Sequence, residues 1–333
     1  MRSFTVSTAE SGDTVLDVLR LRMGFSAAQA RRLIAELRVR LAGTPCRDPF
    51  WRVRRGQRLE LQEAKHGRPP STEAKPQICY VDDQLVVVDK PPGLTTMRHP
   101  DEAAEFGSRG SRFLPPTLAD QLPPLLAQRV KGKPGRVWAV HRLDKDTSGL
   151  VVFARSKAAE RHLGNQFRAH TIERSYLAIV RGRARSARIE SSLAADRGDA
   201  RRGSTKQPGQ GKRAVTHVRV LEELGDYTLV ECRLETGRTH QVRIHLGEAG
   251  TPLCGERVYD RPLHGKPVPD RSAAPRLALH AALLGVTHPA SGRMMQWRSS
   301  LPKDLKTLLD RLRKLAGAAR QGPDSGAQVK TRR

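Results

Sequence analysis

His141-Arg142-Leu143-Asp144-Lys145-Asp146-Thr147-Ser148-Gly149 runs directly into Leu150-Val151-Val152-Phe153-Ala154. The second stretch is apolar, short and β-branched, which predicts a buried strand. Asp144 then sits on a loop entering the core. A loop fixed against a buried strand is where a scaffold presents a reactive group, and a carboxylate there needs a cation to remain ionised. Arg142, or an arginine distant in sequence, can supply it. By local composition alone, Arg-x-Asp on a loop is more often a solvated ion pair or a turn cap, worth little.

Charge narrows the class of partner. The 333 residues carry 60 Lys and Arg against 34 Asp and Glu, a formal net charge of +26. Such an excess calls for a polyanion, with nucleic acid first. A membrane surface is the competing polyanion. No apolar run approaches the length of a spanning helix and no apolar stretch follows the first residues, so a soluble, cytoplasmic protein is expected. Cys46, Cys79, Cys232 and Cys254 are far apart and share no spacing with histidines, so neither disulfides nor zinc are expected. Aromatic residues make up only 4 %, which argues against extended base stacking and for recognition by charge and shape.

The length suggests two domains. Residues 13–22 and 26–38 read as two helices parted at Gly24. Ser26 and Gln29 fit a capping box, and Ala30, Leu33, Ile34 and Leu37 repeat on one face, leaving Arg31, Arg32 and Arg38 on others. Short strands are expected at 39–41, 50–53 and 58–61, closing a module of residues 1–64. Residues 65–76, polar and proline-rich, read as a linker.

The larger domain, 77–315, begins with a strand at Leu85–Val88 that runs into Asp89-Lys90-Pro91-Pro92-Gly93-Leu94. Lys90 is expected to be structural, with a phosphate contact as the alternative. Residues 98–136 read as a surface excursion with a helical segment around 117–126. Ser156 can cap a helix over 157–169, and an alternating strand over 173–182 carries Tyr176. Between 183 and 213 there are nine basic residues against three acids, and little apolar content, which predicts a mobile basic loop. A strand over 228–234 leads to Thr236-Gly237-Arg238-Thr239-His240-Gln241-Val242-Arg243-Ile244-His245-Leu246. A helix starting near Thr239 would bury Val242, Leu246 and Ala249 and point Arg243 elsewhere. His240 and His245 are five apart, a poor spacing for helical metal ligands, so both are expected to be structural or RNA-contacting. An amphipathic helix over 302–315 precedes a basic, disordered tail, 316–333. Gly211-Lys212 lacks the context of a phosphate loop, and no Gly-x-Gly-x-x-Gly follows a strand, which removes the usual cofactor loop of an RNA methyltransferase.

Two resemblances organise these observations. Phe25-Ser26, Ala30-Arg31-Arg32-Leu33-Ile34 and Val53-Arg54-Arg55-Gly56-Gln57-Arg58-Leu59-Glu60-Leu61 resemble the RNA-binding module first described in ribosomal small-subunit protein four. One departure is Ala42, which replaces the usual Asn of the Val-x-Val-Asn-Gly hairpin. The larger domain resembles the RluA family of pseudouridine synthases. The resemblance is carried by Lys90-Pro91-Pro92-Gly93, the 141–149 string, Tyr176-Leu177-Ala178, Gln241-Val242-Arg243 and Gly250-Thr251-Pro252-Leu253-Cys254-Gly255-Glu256-Arg257-Val258-Tyr259. In the last of these Glu256 stands for the usual Asp and is taken to lie outside the catalytic set.

The family implies an α+β fold, a mixed, largely antiparallel β-sheet with flanking helices. It implies Asp144 as the catalytic nucleophile, Arg243 as its ion-pair partner and Tyr176 as a residue packing on the uracil. Arg142, with His141 beside it, is expected at the RNA near the vacated base position, and Arg31, Arg32, Arg238 and His240 are further expected RNA contacts. The isomerisation is redox-neutral, so no cofactor and no metal are expected. Large-subunit ribosomal RNA is the first expected substrate and transfer RNA the second, acted on by a monomer. A noncatalytic ribosome-assembly factor is the alternative from another class.

Overall fold

The computed structural model describes residues 2–35, 38–46, 49, 51–62, 75–98, 115–130, 135–198 and 201–320. In the first module, strands β1 (Arg2–Thr5), β2 (Val39–Leu41), β3 (Thr44–Pro45) and β4 (Arg58–Leu61) form an antiparallel sheet of order β1-β4-β2-β3. Helices α1 (Val15–Met23) and α2 (Ala27–Ala35) pack with the sheet around Val15, Leu19, Ile34, Leu41 and Leu59. Gly24 ends α1 in the left-handed conformation at φ 67°, and the Ser26–Gln29 box is formed reciprocally at 3.0 and 3.1 Å. Two expectations are corrected. Of the strand over 50–53, residue 50 lies outside the described residues and 51–53 hold a single bridge, Thr14 to Arg52; helix α2 has ended before Arg38, which is not helical. Strand β1 had no alternation long enough to reveal it. The linker falls almost wholly outside the described residues.

The larger sheet has 11 strands. They are β5 (Gln77–Val81), β6 (Leu85–Lys90), β7 (Trp138–Ala139), β8 (Ser148–Ala154), β9 (Glu173–Arg181), β10 (Ala187–Ala194), β11 (Gly203–Thr205), β12 (Lys212–Glu223), β13 (Tyr227–Leu234), β14 (Leu279–Thr287) and β15 (Met294–Arg298). Their order is β11-β10-β12-β13-β9-β14-β8-β6-β5, with β15 on β14 and β7 on β8. Only β14 and β8 pair in parallel among the described strands. Helices α3 (Leu118–Ala127), α4 (Lys157–Ala169), α5 (Gln241–Glu248) and α6 (Lys303–Arg320) cover the sheet. The mixed, largely antiparallel architecture is the expected one.

The parallel seam positions the site. Every residue of β8 is buried, and its pairing to β14 places Ser148 opposite His280 and Gly149 opposite Ala281. Gly149 has φ 112°, and a Cβ on it would stand 2.3 Å from the Ala281 carbonyl oxygen. The Thr-Ser-Gly ending of the motif is thus a requirement of close strand approach as well as of turning. The loop bearing Asp144 leaves the sheet at its centre.

Three further expectations change. Residues 183–213 are not one mobile loop: β10, β11 and the start of β12 pair within it. The apolar side of β10 is thin, Ile189 and Leu193 alternating with Arg188, Glu190 and Ser192, in a segment dominated by its basic and glycine content. Ala249 is exposed, because α5 stops at Glu248. Helix α6 continues to Arg320, so residues 316–320 are helix and not tail; residues 321–333 lie outside the described residues.

Candidate active site

The loop 143–147 is pinned residue by residue. Thr96 Oγ1 accepts the Leu143 N–H at 3.1 Å and donates to the Leu143 carbonyl at 2.9 Å. The Lys90 ammonium, fully buried, donates to the carbonyls of Lys145 (3.0 Å), Pro91 (2.9 Å) and Leu94 (2.9 Å). Burial lowers its pKa to about 7. Lys90 is therefore structural, as expected, and not a phosphate ligand. Arg276 donates to the Asp146 carbonyl at 3.3 Å and to Ser148 Oγ at 3.1 Å, and the turn closes through Thr147 N–H to the Asp144 carbonyl at 3.1 Å. A carboxylate on a loop held at so many points has little freedom of position.

Asp144 meets Arg243 across this loop: Nη1 donates to Oδ2 at 3.2 Å. Arg243 is on α5, and its other nitrogens are committed to Glu256, with Nε to Oε2 at 2.7 Å and Nη2 to Oε1 at 2.9 Å. Glu256 Oε1 also accepts the backbone N–H groups of Arg257 and Val258, each at 2.9 Å. This bidentate clamp fixes the plane of the guanidinium and aims its remaining nitrogen. Glu256 is thus joined to the Asp144–Arg243 pair, which corrects its placement outside the set. The signal missed was the carboxylate itself, since any acid in that motif can reach a buried arginine.

Burial pushes the Asp144 carboxyl upward, but His240, Arg243 and Arg142 outweigh it, and the group is held below its ordinary value of 3.8. Burial lowers His240 to about 4, so its imidazole is neutral at pH 7 and the standing charge beside Asp144 is that of Arg243. His240 Nε2 lies 3.6 Å from Asp144 Oδ1, and its Nδ1 pairs with the Tyr259 hydroxyl at 2.8 Å. Tyr259 in turn stands under the Arg243 guanidinium, 5.1 Å from ring centre to Cζ. His240 and Tyr259 therefore belong to the wall around Asp144.

A cavity of about 190 Å³ opens over Asp144, lined also by Arg142, Thr147, Tyr176, Arg238 and His240. Tyr176 reaches it from β9, and its hydroxyl pKa is raised, by burial first and then by Asp144, so it stays protonated. Thr147 lines this cavity, and its Oγ1 is buried without a hydrogen-bond partner. Arg142 is exposed at the rim, and Arg238, half-buried, donates to the Arg213 carbonyl at 3.0 Å.

His141 departs from expectation. Its Nε2 accepts the Val152 N–H at 3.0 Å, its ring stacks on Phe167 at 4.5 Å, and burial lowers its pKa to about 3. It braces the loop against β8 and α4. Likewise His245 is held between Ser191 (3.1 Å) and Thr216 (2.9 Å), in the core. Arg31 and Arg32 are exposed on α2, in the other module.

Comparison with known proteins agrees with this geometry. Residues 84–248 match the family described as RNA pseudouridylate synthase. The chain is 37 % identical over 287 residues to the ribosomal large subunit pseudouridine synthase D of Nitrosomonas europaea, covering 82 % of this chain and 76 % of that one. It is 36 % identical over 278 residues to the protein of the same name from Zymomonas mobilis, covering 81 % and 84 %. Among solved structures, human RNA pseudouridylate synthase domain containing 4 superposes with a TM-score of 0.56 at 24 % identity, over 71 % of this chain and 93 % of that one, a likeness of fold.

Proposed function

The chain belongs to the RNA pseudouridylate synthase family and is an RNA pseudouridine synthase, and from this we propose that it modifies uridines of large-subunit ribosomal RNA in the cytoplasm, with Asp144 as its nucleophile. The observation that carries the assignment of Asp144 is its carboxylate, held ionised by a buried and doubly clamped Arg243 at the floor of a cavity. The reaction breaks the bond from N1 of uracil to C1′ of ribose and makes the bond from C5 to C1′. The proton on C5 is lost and N1 gains one, so the atoms balance without redox change.

Each neighbour has a part in this reading. Asp144 attacks as the anion, which its lowered pKa supplies across the physiological range. Tyr176 packs against the uracil, and its protonated hydroxyl serves as a donor rather than a base. A cavity of this kind takes a nucleotide out of its stack, and Arg142 at the rim fills the place it leaves. The amino-terminal module, with Arg31 and Arg32 outward on α2, holds RNA through its backbone.

The test is pseudouridine mapping of ribosomal and transfer RNA from cells lacking the gene, complemented with wild type or with Asp144→Asn. A large-subunit site lost on deletion and restored by wild type alone is the expected result. Restoration by Asp144→Asn would remove the carboxylate from the mechanism, and a lost site confined to transfer RNA would move the substrate.

A further inference from the structure

Arg174 is a guanidinium without an acid. It lies on β9 two residues before Tyr176, so the two side chains leave the same face of the strand. Its Nε is buried with no hydrogen-bond partner, and no carboxylate pairs with it among the described residues. A buried cation is ordinarily matched by an anion, and leaving it unmatched is costly. What holds it is apolar: Cζ lies 5.5 Å from the centre of the Phe167 ring, whose other neighbour is the stacked His141.

The free end points toward the active-site rim. A Cβ on Gly237 would stand 2.4 Å from Arg174 Nη1, so the guanidinium rests on the Gly237 backbone, a segment that lines the catalytic cavity. Gly237 and Arg238 also line an adjoining groove of about 760 Å³ that includes Arg202 and Lys212. The surroundings are cationic. The His170 imidazole, on the turn after α4, is lowered by burial and then by Arg238, Arg174 and Arg213, with Glu235 alone opposing. Arg213 is already engaged by Glu190 at 2.6 Å, whereas Arg174 is not. Gly237, having no side chain, lets the guanidinium lie against the backbone of a segment that lines both the cavity and the groove.

We propose that Arg174, with Arg238 beside it, is the seat of an RNA phosphate next to the uridine that enters the cavity, so that the missing counter-anion is supplied by the substrate. This rests on the reading of the chain as a synthase acting on structured RNA. A guanidinium fork matches a phosphate with two parallel hydrogen bonds, which a lysine cannot do. One phosphate fixed at the rim sets the register of the nucleotide over Asp144.

The test uses the full-length protein and an unmodified transcript of large-subunit ribosomal RNA, with binding measured over a series of KCl concentrations and turnover measured as pseudouridine formed. Arg174→Gln is expected to weaken binding about tenfold and to reduce the slope of log K against log[KCl] by about 0.7–0.9, one phosphate contact. Arg238→Gln is expected to reduce the slope in the same sense. Arg174→Lys keeps the charge and loses the fork, so the slope is kept, KM rises several-fold and kcat stays. Arg313→Gln, which removes a charge from α6, should leave the slope alone. An unchanged slope in a folded Arg174→Gln protein would overturn the proposal, as would a fall in kcat at constant KM for Arg174→Lys, which folds if the Gln variant does not. Failure of the wild type to form pseudouridine would count against the substrate and not against the salt dependence, which reads binding alone.

Discussion

Glu256 grips Arg243 with both carboxylate oxygens, at 2.7 and 2.9 Å, and leaves a single guanidinium nitrogen for Asp144 at 3.2 Å. The arginine is thereby an oriented donor whose aim is set by a residue that does not touch Asp144. Glu256→Gln keeps the shape but loses the charge, and is expected to lower kcat by at least about tenfold with little change in KM, because an interaction aimed at the reacting group is disturbed. Glu256→Ala leaves a buried guanidinium half-paired and is expected to cost about 3–5 kcal/mol of stability. Single-turnover assays and thermal melts read the two effects separately; a Gln variant with wild-type kcat would show that the clamp does not matter.

The carboxyl of Asp144 is held below 3.8 in the folded protein. A depressed carboxylate contributes stability that is fully present above its unfolded pKa and is lost as pH falls through the folded value. The same group should therefore impose no acidic limb on kcat between pH 5 and pH 7. Arg243→Met removes the standing charge, burial then dominates, and the acidic limb should move up into that window. A pH–rate profile of the variant that stays flat at a reduced level would contradict this account of the pair.

Three imidazoles are kept neutral by burial: His141 at about 3, His240 at about 4 and His245 at about 4. In the unfolded chain each takes up a proton near 6.5, so the unfolded state binds more protons than the folded one between about pH 6.5 and 4. Stability should fall steadily as pH drops through that window. Melting temperature against pH is the measurement, and a plateau from 6.5 to 4 would exclude it.

Gly149 and Ala281 approach so closely that a side chain has no room, and the glycine sits at φ 112°. Gly149→Ala combines overlap with backbone strain and is expected to destabilise by about 3 kcal/mol or more. Soluble yield and melting temperature should both fall, with the catalytic loop displaced at its exit.

Ala42 occupies the left-handed region at φ 49°, followed by Gly43 at φ 76°. That pair of positive φ angles is the two-residue hairpin turn joining β2 to β3, which favours Asn-Gly. Ala42→Asn or Ala42→Gly should raise the stability of the amino-terminal module by about 1 kcal/mol, read as a higher melting temperature; a decrease would show that the turn is not strained.

Much of the site was legible before any coordinates. The apolar run at 150–154 could only be a buried strand, the Ser156 cap and the Ser26–Gln29 box are local contacts, and Asp144 had to lie on the loop before the strand. What failed did so for identifiable reasons. Residues 187–194 do alternate, with Ile189 and Leu193 against Arg188, Glu190 and Ser192, but the pattern is short and lies in a basic, glycine-containing segment, and its pairing with β11 and β12 is set by neighbours rather than by propensity. His141 and His240 each sit beside an arginine or a carboxylate in sequence or space, and sequence order does not say which way a ring turns. Arg174 was silent for the same reason, since the absence of a partner is a property of surroundings.

The sequence by itself determined the excess of positive charge and the strand runs at 150–154 and 173–182, because these depend on residue type and local spacing, while the roles expected of Asp144, Tyr176 and Arg243 came with the resemblance their motifs carry. The tertiary structure decided the geometry of the pair that Asp144 and Arg243, 99 residues apart, form, that Glu256 holds it, and that His141 serves the scaffold. A charge in a buried site takes its pKa from whatever lies within a few ångströms, and that neighbourhood comes into being only when the β8–β14 seam closes.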